Sequence, residues 1–360
     1  MSASPYELAI FGSTPLAGVV AGLLAMRHRK RVALIAETPS PFRLPTGLDL
    51  SVMPMTRPES WALLKAATAE TLKLLHQLGG RRATRHIDPV FVAETAASSA
   101  ALSHMQQMAM AFGYAVERLP ARGVAEAVAI RVRDAVLVDR QMLAPLLANW
   151  LDHAGVVRLE ARQSNAVFNR DGSVRIDHAG QTIEATRAVL ADDEAIAAWL
   201  DPAEGKPQRL MKLDATAMLV AAKRAQAEPF VHHLDRGVTL LQRPDAQVFA
   251  LSAGRANEAA RRVGSCFADR GPAKRLAQRE FRIVATADGA PLAGALEGSM
   301  TSGLAGFGPT GLLLAPALAR HLAGLPSASE AAYFAARQAG PEARSVVAEY
   351  AAAAAFEWQS

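Results

Sequence analysis

Two glycine-bearing turns, one near each end of the chain, carry residue types that could handle a phosphorylated ligand. The first is Gly12-Ser13-Thr14-Pro15-Leu16-Ala17-Gly18, which follows the apolar run Glu-Leu-Ala-Ile-Phe of residues 7–11. Such a run ending at a glycine predicts a buried strand of a parallel sheet. Thr14-Pro15 offers a hydroxyl N-cap and a proline at the first helical position. A strand-to-helix turn of this kind aims backbone N–H groups and a helix N-terminus at one point, which suits a pyrophosphate. Of the three glycines in G-x-G-x-x-G only Gly12 stands; Thr14 and Ala17 take the other two places. A second apolar run, residues 32–36, is closed by Glu37, 25 residues past Gly12, where a carboxylate can accept both hydroxyls of a ribose. The competing reading is a βαβ unit that binds no nucleotide.

The second turn is Gly303-Leu304-Ala305-Gly306-Phe307-Gly308-Pro309-Thr310-Gly311-Leu312, running into Leu-Leu-Ala-Pro. Glycines there permit close backbone approach to a flat or anionic ligand. The helix that follows would add the positive end of its dipole. A merely flexible loop is the alternative, but such a loop rarely leads straight into a run as apolar as Leu312 to Ala319.

The elements that must hold these turns follow from periodicity. Leu16, Val19, Val20, Leu23 and Leu24 are at helical spacing, and the basic run Arg27 to Arg31 falls where a helix C-terminus favours cations. Residues 38–54 read as a loop. Helices are predicted over 60–78, 97–112 and 138–152, and strands over 161–178, with a turn at Asp171-Gly172, and 182–191. From residue 210 to 282 short alternating segments predict an antiparallel sheet and hence a second domain. A helix returns at 312–324.

Composition narrows the classes. At 360 residues, 51% hydrophobic and 20% charged, the chain is globular and long enough for two packed domains. The net charge is +5 but scattered, which argues against nucleic acid and favours an anionic ligand. The single cysteine, Cys266, excludes an internal disulfide, and no Cys/His spacing suits zinc. This points to a reducing, cytoplasmic setting. Residues 8–26 and 298–319 lack charge, but Gly12 to Pro15 break the first and the second reads as loop then helix, so neither is assigned to a membrane.

With these elements in place, the C-terminal turn resembles a stretch of the form G-H-x-x-x-G-[IL]-x-x-A-P found in flavoenzymes of the glycine oxidase and D-amino-acid oxidase type. Gly306 to Pro316 matches it, with Phe307 where the family has histidine. Further segments follow in the family's order: Arg43 to Gly47 resembles the loop after the ribose acid, Val138-Asp139 a "v-d-p" segment, and residues 163–191, with Asn165, the stretch whose backbone meets the adenine. Gln242-Arg243-Pro244 with 248–254 resembles the substrate sheet, and Thr286 to Pro291 a T-x-D-G-x-P turn.

The resemblance implies an α/β fold: a Rossmann-like FAD-binding domain with a parallel sheet, and a second domain with an antiparallel β-sheet. The first would comprise residues 1–80, 130–205 and 285–345. The second would comprise 81–129, contributing helices, and 206–284, with 346–360 as a helical tail. FAD is the implied cofactor. The implied contacts are Gly12, Ser13, Thr14, Pro15, Leu16, Ala17, Glu37, Arg43, Gly47 and Asn165, then Gly306, Phe307, Gly308, Pro309, Thr310, Gly311 and Leu312. The implied activity is oxidation of a C–N bond in an amino acid or secondary amine by hydride transfer to flavin N5.

Three departures oppose that reading. The family's carboxylate-clamping arginine falls at Ile283, leaving Arg282 one residue off as the candidate, on the other face of a strand unless a bulge intervenes. None of the four tyrosines lies in the substrate sheet. The small residues expected after Ala191 are replaced by Asp192-Asp193, which would crowd or repel a phosphate. The alternative is therefore a catalytically degenerate FAD-fold protein, a structural or electron-relay subunit of a larger complex. NAD in place of FAD leaves the C-terminal turn without a role. Homo-oligomer and partner subunit stay open.

Overall fold

A computed structural model of the chain describes residues 6–40, 42–120, 127–200, 210–244, 246–267, 273–286 and 289–337. The tail expected over 346–360 lies outside the described residues, as do Ala287 and Asp288 of the T-x-D-G turn.

The N-terminal unit is β1 (Tyr6–Phe11), α1 (Pro15–Met26) and β2 (Val32–Ala36). Thr14 caps α1 by accepting from the Ala17 amide, and Pro15 opens the helix as its sequence requires. Every residue from Leu16 to Leu24 is buried, which explains why the stretch carries no charge. Next come β3 (Asp49–Leu50), α2 (Pro58–Gln77), β4 (Thr84–Ile87), β5 (Val90–Ala93), α3 (Ala96–Ala111), β6 (Val116–Leu119), β7 (Val128–Val132) and β8 (Ala135–Val138). Then follow α4 (Arg140–His153), β9 (Val157–Glu160), β10 (Ser164–Phe168), β11 (Val174–His178), β12 (Gln181–Leu190) and α5 (Asp193–Leu200). The second half has β13 (Leu210–Ala221), β14 (Phe230–His233), β15 (Val238–Gln242), β16 (Gln247–Ala253), α6 (Ala256–Ser265) and β17 (Lys274–Thr286). It ends with β18 (Leu292–Ala295), β19 (Ser302–Ala305), a 3₁₀ segment Gly308–Leu314, α7 (Ala315–Leu322) and α8 (Ala328–Ala335).

Three sheets result. The first runs β10-β11-β12-β1-β2-β9, with β19 pairing β12 and β18 pairing β19. Its centre is parallel: Phe11 stands opposite Leu190 and Ile35, and Leu190 opposite Gly303. The second runs β17-β13-β16-β15-β14-β5-β7-β6 and is antiparallel except at β14 and β5. Residues 84–132 thus give three strands to this sheet beside the single helix α3, where the sequence suggested helices. β3, β8 and β4 form a small third sheet.

One core cluster joins the two large sheets: Ile10, Val19 and Leu23 belong to it together with Phe91, Ala217, Phe230 and Phe249. α1 packs between the first sheet, α4 and α7. A Cβ on Gly22 would lie 2.1 Å from the Trp150 ring, so only glycine lets the two helices approach this closely. Among the described residues, no helix is long and apolar enough to cross a membrane.

Candidate functional site

The β1/β12 register determines what stands over the N-terminal turn. With Phe11 opposite Leu190, the residues after both strands leave the sheet side by side, and the Ala191 amide donates to the Phe11 carbonyl at 2.7 Å. Two residues beyond Leu190, Asp192 therefore faces Gly12 to Thr14. Its Oδ2 accepts from the Ser13 amide at 2.6 Å, the Thr14 amide adds to it, and Oδ1 accepts from the Ala195 amide at 2.8 Å. Asp192 thus caps α5 with one oxygen and holds the start of α1 with the other. Burial raises its pKa, against which these amides and the nearby Arg140 pull down.

This arrangement bears on how a dinucleotide could use the turn. A pyrophosphate at a strand-to-helix turn needs the free amides of the helix start and the space beside the first glycine. Both are used by Asp192: a Cβ on Gly12, at φ +155°, would lie 3.0 Å from Asp192 Oδ2 and 3.0 Å from Ala17 Cβ. A pyrophosphate would draw on the same amides and the same space, so a dinucleotide enters this turn only where the Asp192 side chain moves away.

The surrounding residues form ion pairs. Glu37, the ribose acid of the sequence reading, is engaged by Arg43 and by Arg162, whose Nε lies 3.1 Å from Oε1. The Glu37 amide donates to Ser13 Oγ at 2.9 Å, tying the end of β2 to the turn. Desolvation pushes the Glu37 pKa up, but the two arginines outweigh it and leave it lowered. Arg140 grips Asp49 bidentately, Nε to Oδ2 at 2.6 Å and Nη2 to Oδ1 at 3.0 Å. Its guanidinium lies 3.1 Å from where a Gly47 Cβ would be, so Gly47 admits the arginine. Asp139 caps α4 by accepting from the Gln141 and Met142 amides, and this places Arg140 at the helix start.

The C-terminal turn reaches the same region from the other side. Gly306 (φ +73°) and Gly308 (φ +49°) adopt left-handed backbone. The Thr310 hydroxyl donates to the Phe307 carbonyl at 2.8 Å. A Cβ on Gly311 would meet Phe307 Cβ at 3.2 Å and Leu16 Cδ2 at 3.3 Å. Pro309 opens the 3₁₀ segment, and Leu312 to Leu314 are buried beneath it. Phe307 is itself buried. The segment expected as a helix from Leu312 is 3₁₀ as far as Leu314, and α7 starts only at Ala315.

The structure brings together Gly12 to Ala17, Glu37, Arg43 and the stretch Phe307 to Leu312. It leaves Asn165 apart, exposed on the edge strand β10, three places from β1. Arg282 is also misplaced for a clamp. Strand parity puts it on the face of β17 that carries Glu280, whose carboxylate accepts from the Ala256 amide of α6. The opposite face carries Arg279, which the sequence reading passed over. Arg279 donates to Glu194 of α5 at 2.9 Å and to the Leu44 carbonyl in the loop before β3 at 3.1 Å. The β-bulge of β17 falls at Leu276, opposite the step from Leu219 to Val220, too far along to rescue Arg282. His232 is buried in β14 with Nδ1 on Thr239 Oγ1 at 2.8 Å, its pKa driven down by burial to about 4.

No family model matches the sequence, and no curated protein matches it. Solved structures do match. The glycine oxidase of Geobacillus kaustophilus is 19% identical with a TM-score of 0.69, over 90% of this chain and 95% of its own. The L-proline dehydrogenase of P. horikoshii is 15% identical with a TM-score of 0.70, over 92% and 96%. The iminodiacetate oxidase of Chelativorans sp. BNC1 is 17% identical with a TM-score of 0.65, over 89% and 95%. At these identities the likeness shows the fold, which is the one the sequence resemblance implied.

Proposed function

We propose that the chain is an oxidoreductase acting on the C–N bond of an amino acid or secondary amine, with a flavin, FAD, as cofactor. One observation carries this reading: Gly12 to Ala17, Glu37 and Phe307 to Leu312 meet at the C-terminal ends of β1 and β2, the crevice where open α/β sheets bind ligands. The fold similarity to glycine oxidase and L-proline dehydrogenase, over 90% and 92% of the chain, supports it. The hydride acceptor would be flavin N5, chemistry that belongs to the cofactor. The protein's part is orientation, and Arg279, the cation that faces the nucleotide-type domain, is the group suited to a substrate carboxylate.

The test is the visible absorbance of the purified protein with and without added FAD, then anaerobic bleaching by a panel of amino acids and secondary amines. Bound flavin bleached by any member of the panel supports the reading. A second reading, a catalytically degenerate FAD-fold protein serving as a structural or electron-relay subunit, is favoured by Asp192 on the phosphate donors. Protein that binds flavin and is bleached by nothing in the panel, or that binds none in any variant, sustains that second reading instead.

A further inference from the structure

We propose that Asp192 is an internal stand-in for the ligand phosphate: its carboxylate occupies the dinucleotide cradle and competes directly with FAD, so the affinity for nucleotide is set by this one side chain. The inference rests on the flavin reading above.

The chemistry of the contact is that of a bound phosphate oxygen. A buried carboxyl group, 9% exposed, accepts from two consecutive amides at a helix start. It sits in the notch left by Gly12, the one glycine of the fingerprint that the chain keeps. The backbone enforces the position, because the register of Phe11 with Leu190 and the Ala191 amide bond leave Asp192 beside the turn. Two neighbouring groups add to this arrangement. Arg140, paired with Asp49, lends positive potential to Asp192. Glu194, two residues on, occupies Arg279, the cation we assign to a substrate carboxylate. The run Asp192-Asp193-Glu194 therefore presents carboxylates to both anion-seeking sites of the cleft. For a dinucleotide to bind, Asp192 must leave the amides and the space beside Gly12.

The experiment is a titration of full-length protein with FAD and, separately, with ADP, which carries the pyrophosphate without the flavin. Binding is read by flavin fluorescence and by calorimetry. The variants are Asp192→Gly and Asp192→Ser. The serine keeps an acceptor for the Ala195 amide and so preserves the α5 cap, but is uncharged and too short to reach Ser13. Thermal melts confirm that each variant is folded. The expected result is an affinity for both ligands tighter by about tenfold or more in the variants than in wild type, the size of one charge-assisted contact set exchanged. Wild type that binds both ligands as tightly as the folded variants overturns the competition and leaves the flavin reading standing. Folded variants that bind neither ligand overturn both.

Discussion

Arg279 and Glu194 bridge the two large sheets: Nη2 of the arginine, on β17, donates at 2.9 Å to the carboxylate at the start of α5, while Nη1 reaches the Leu44 carbonyl. Arg282, three residues on, stands on the opposite face of the same strand, the face on which α6 packs. Two arginines on one strand are thus committed to different neighbourhoods.

Their substitutions should part accordingly. Arg279→Leu is expected to lower the unfolding midpoint through loss of an interdomain tie worth ~1 kcal/mol or less, since both side chains are partly exposed. With a turned-over amino acid it should raise KM by about tenfold or more, as loss of a bidentate carboxylate contact does. Arg282→Leu should leave KM within about twofold. A KM that moves with Arg282 and not with Arg279 would reverse the assignment.

Asp193 makes stability depend on pH. Burial, and then the neighbouring Asp192 carboxylate, raise its pKa from the ordinary 3.8 to about 7. A raised folded pKa means the folded form holds the proton more tightly than the unfolded chain. Its contribution is fully present below about 4, declines as pH climbs, and is lost once pH passes about 7. The difference in melting temperature between Asp193→Asn and wild type should therefore widen in the variant's favour from pH 5 to pH 8. A flat difference over that range would place the Asp193 carboxyl in water.

Gly22 tests the helix contact. Alanine there puts a Cβ 2.1 Å from the Trp150 ring, a clash that must be relieved by moving the indole or separating α1 from α4. Overpacking of this kind should cost about 1–3 kcal/mol in urea unfolding. Trp150→Leu combined with Gly22→Ala should recover part of that loss. Equal loss in single and double variants would show that the strain lies elsewhere.

The parts of this fold that were legible in the sequence are those where one local rule operates. Thr14-Pro15 starts α1, Val238–Gln242 and Gln247–Ala253 fall at the strands their alternation implied, and Asp171-Gly172 turns β10 into β11. β5 to β7 were not legible, because Val90–Ala93 is a four-residue run and Val116–Leu119 alternates only weakly. β5 joins the sheet by pairing with β14, more than a hundred residues later, and β7 and then β6 extend it from there. At the site, the clash of Asp192 with a phosphate was legible as a residue out of place. Its actual role, as the acceptor at the helix start, depends on a register between β1 and β12 that no local pattern encodes. The ion pairs of Arg140 with Asp49 and of Arg279 with Glu194 left no signal, since each joins residues far apart in the chain.

The completion of the first sheet by β19, and the packing of α7 on α1, have a consequence for synthesis. α1 is apolar on every side, and although β2 and α4 cover part of it, its cover by α7 arrives only with residues 315–322, long after α1 itself has been made. Until then a nascent chain leaves the α7-facing side of this helix bare, and both large sheets await strands from distant segments, so a translation arrest before residue 302 yields an incompletely packed species bound for chaperone or protease.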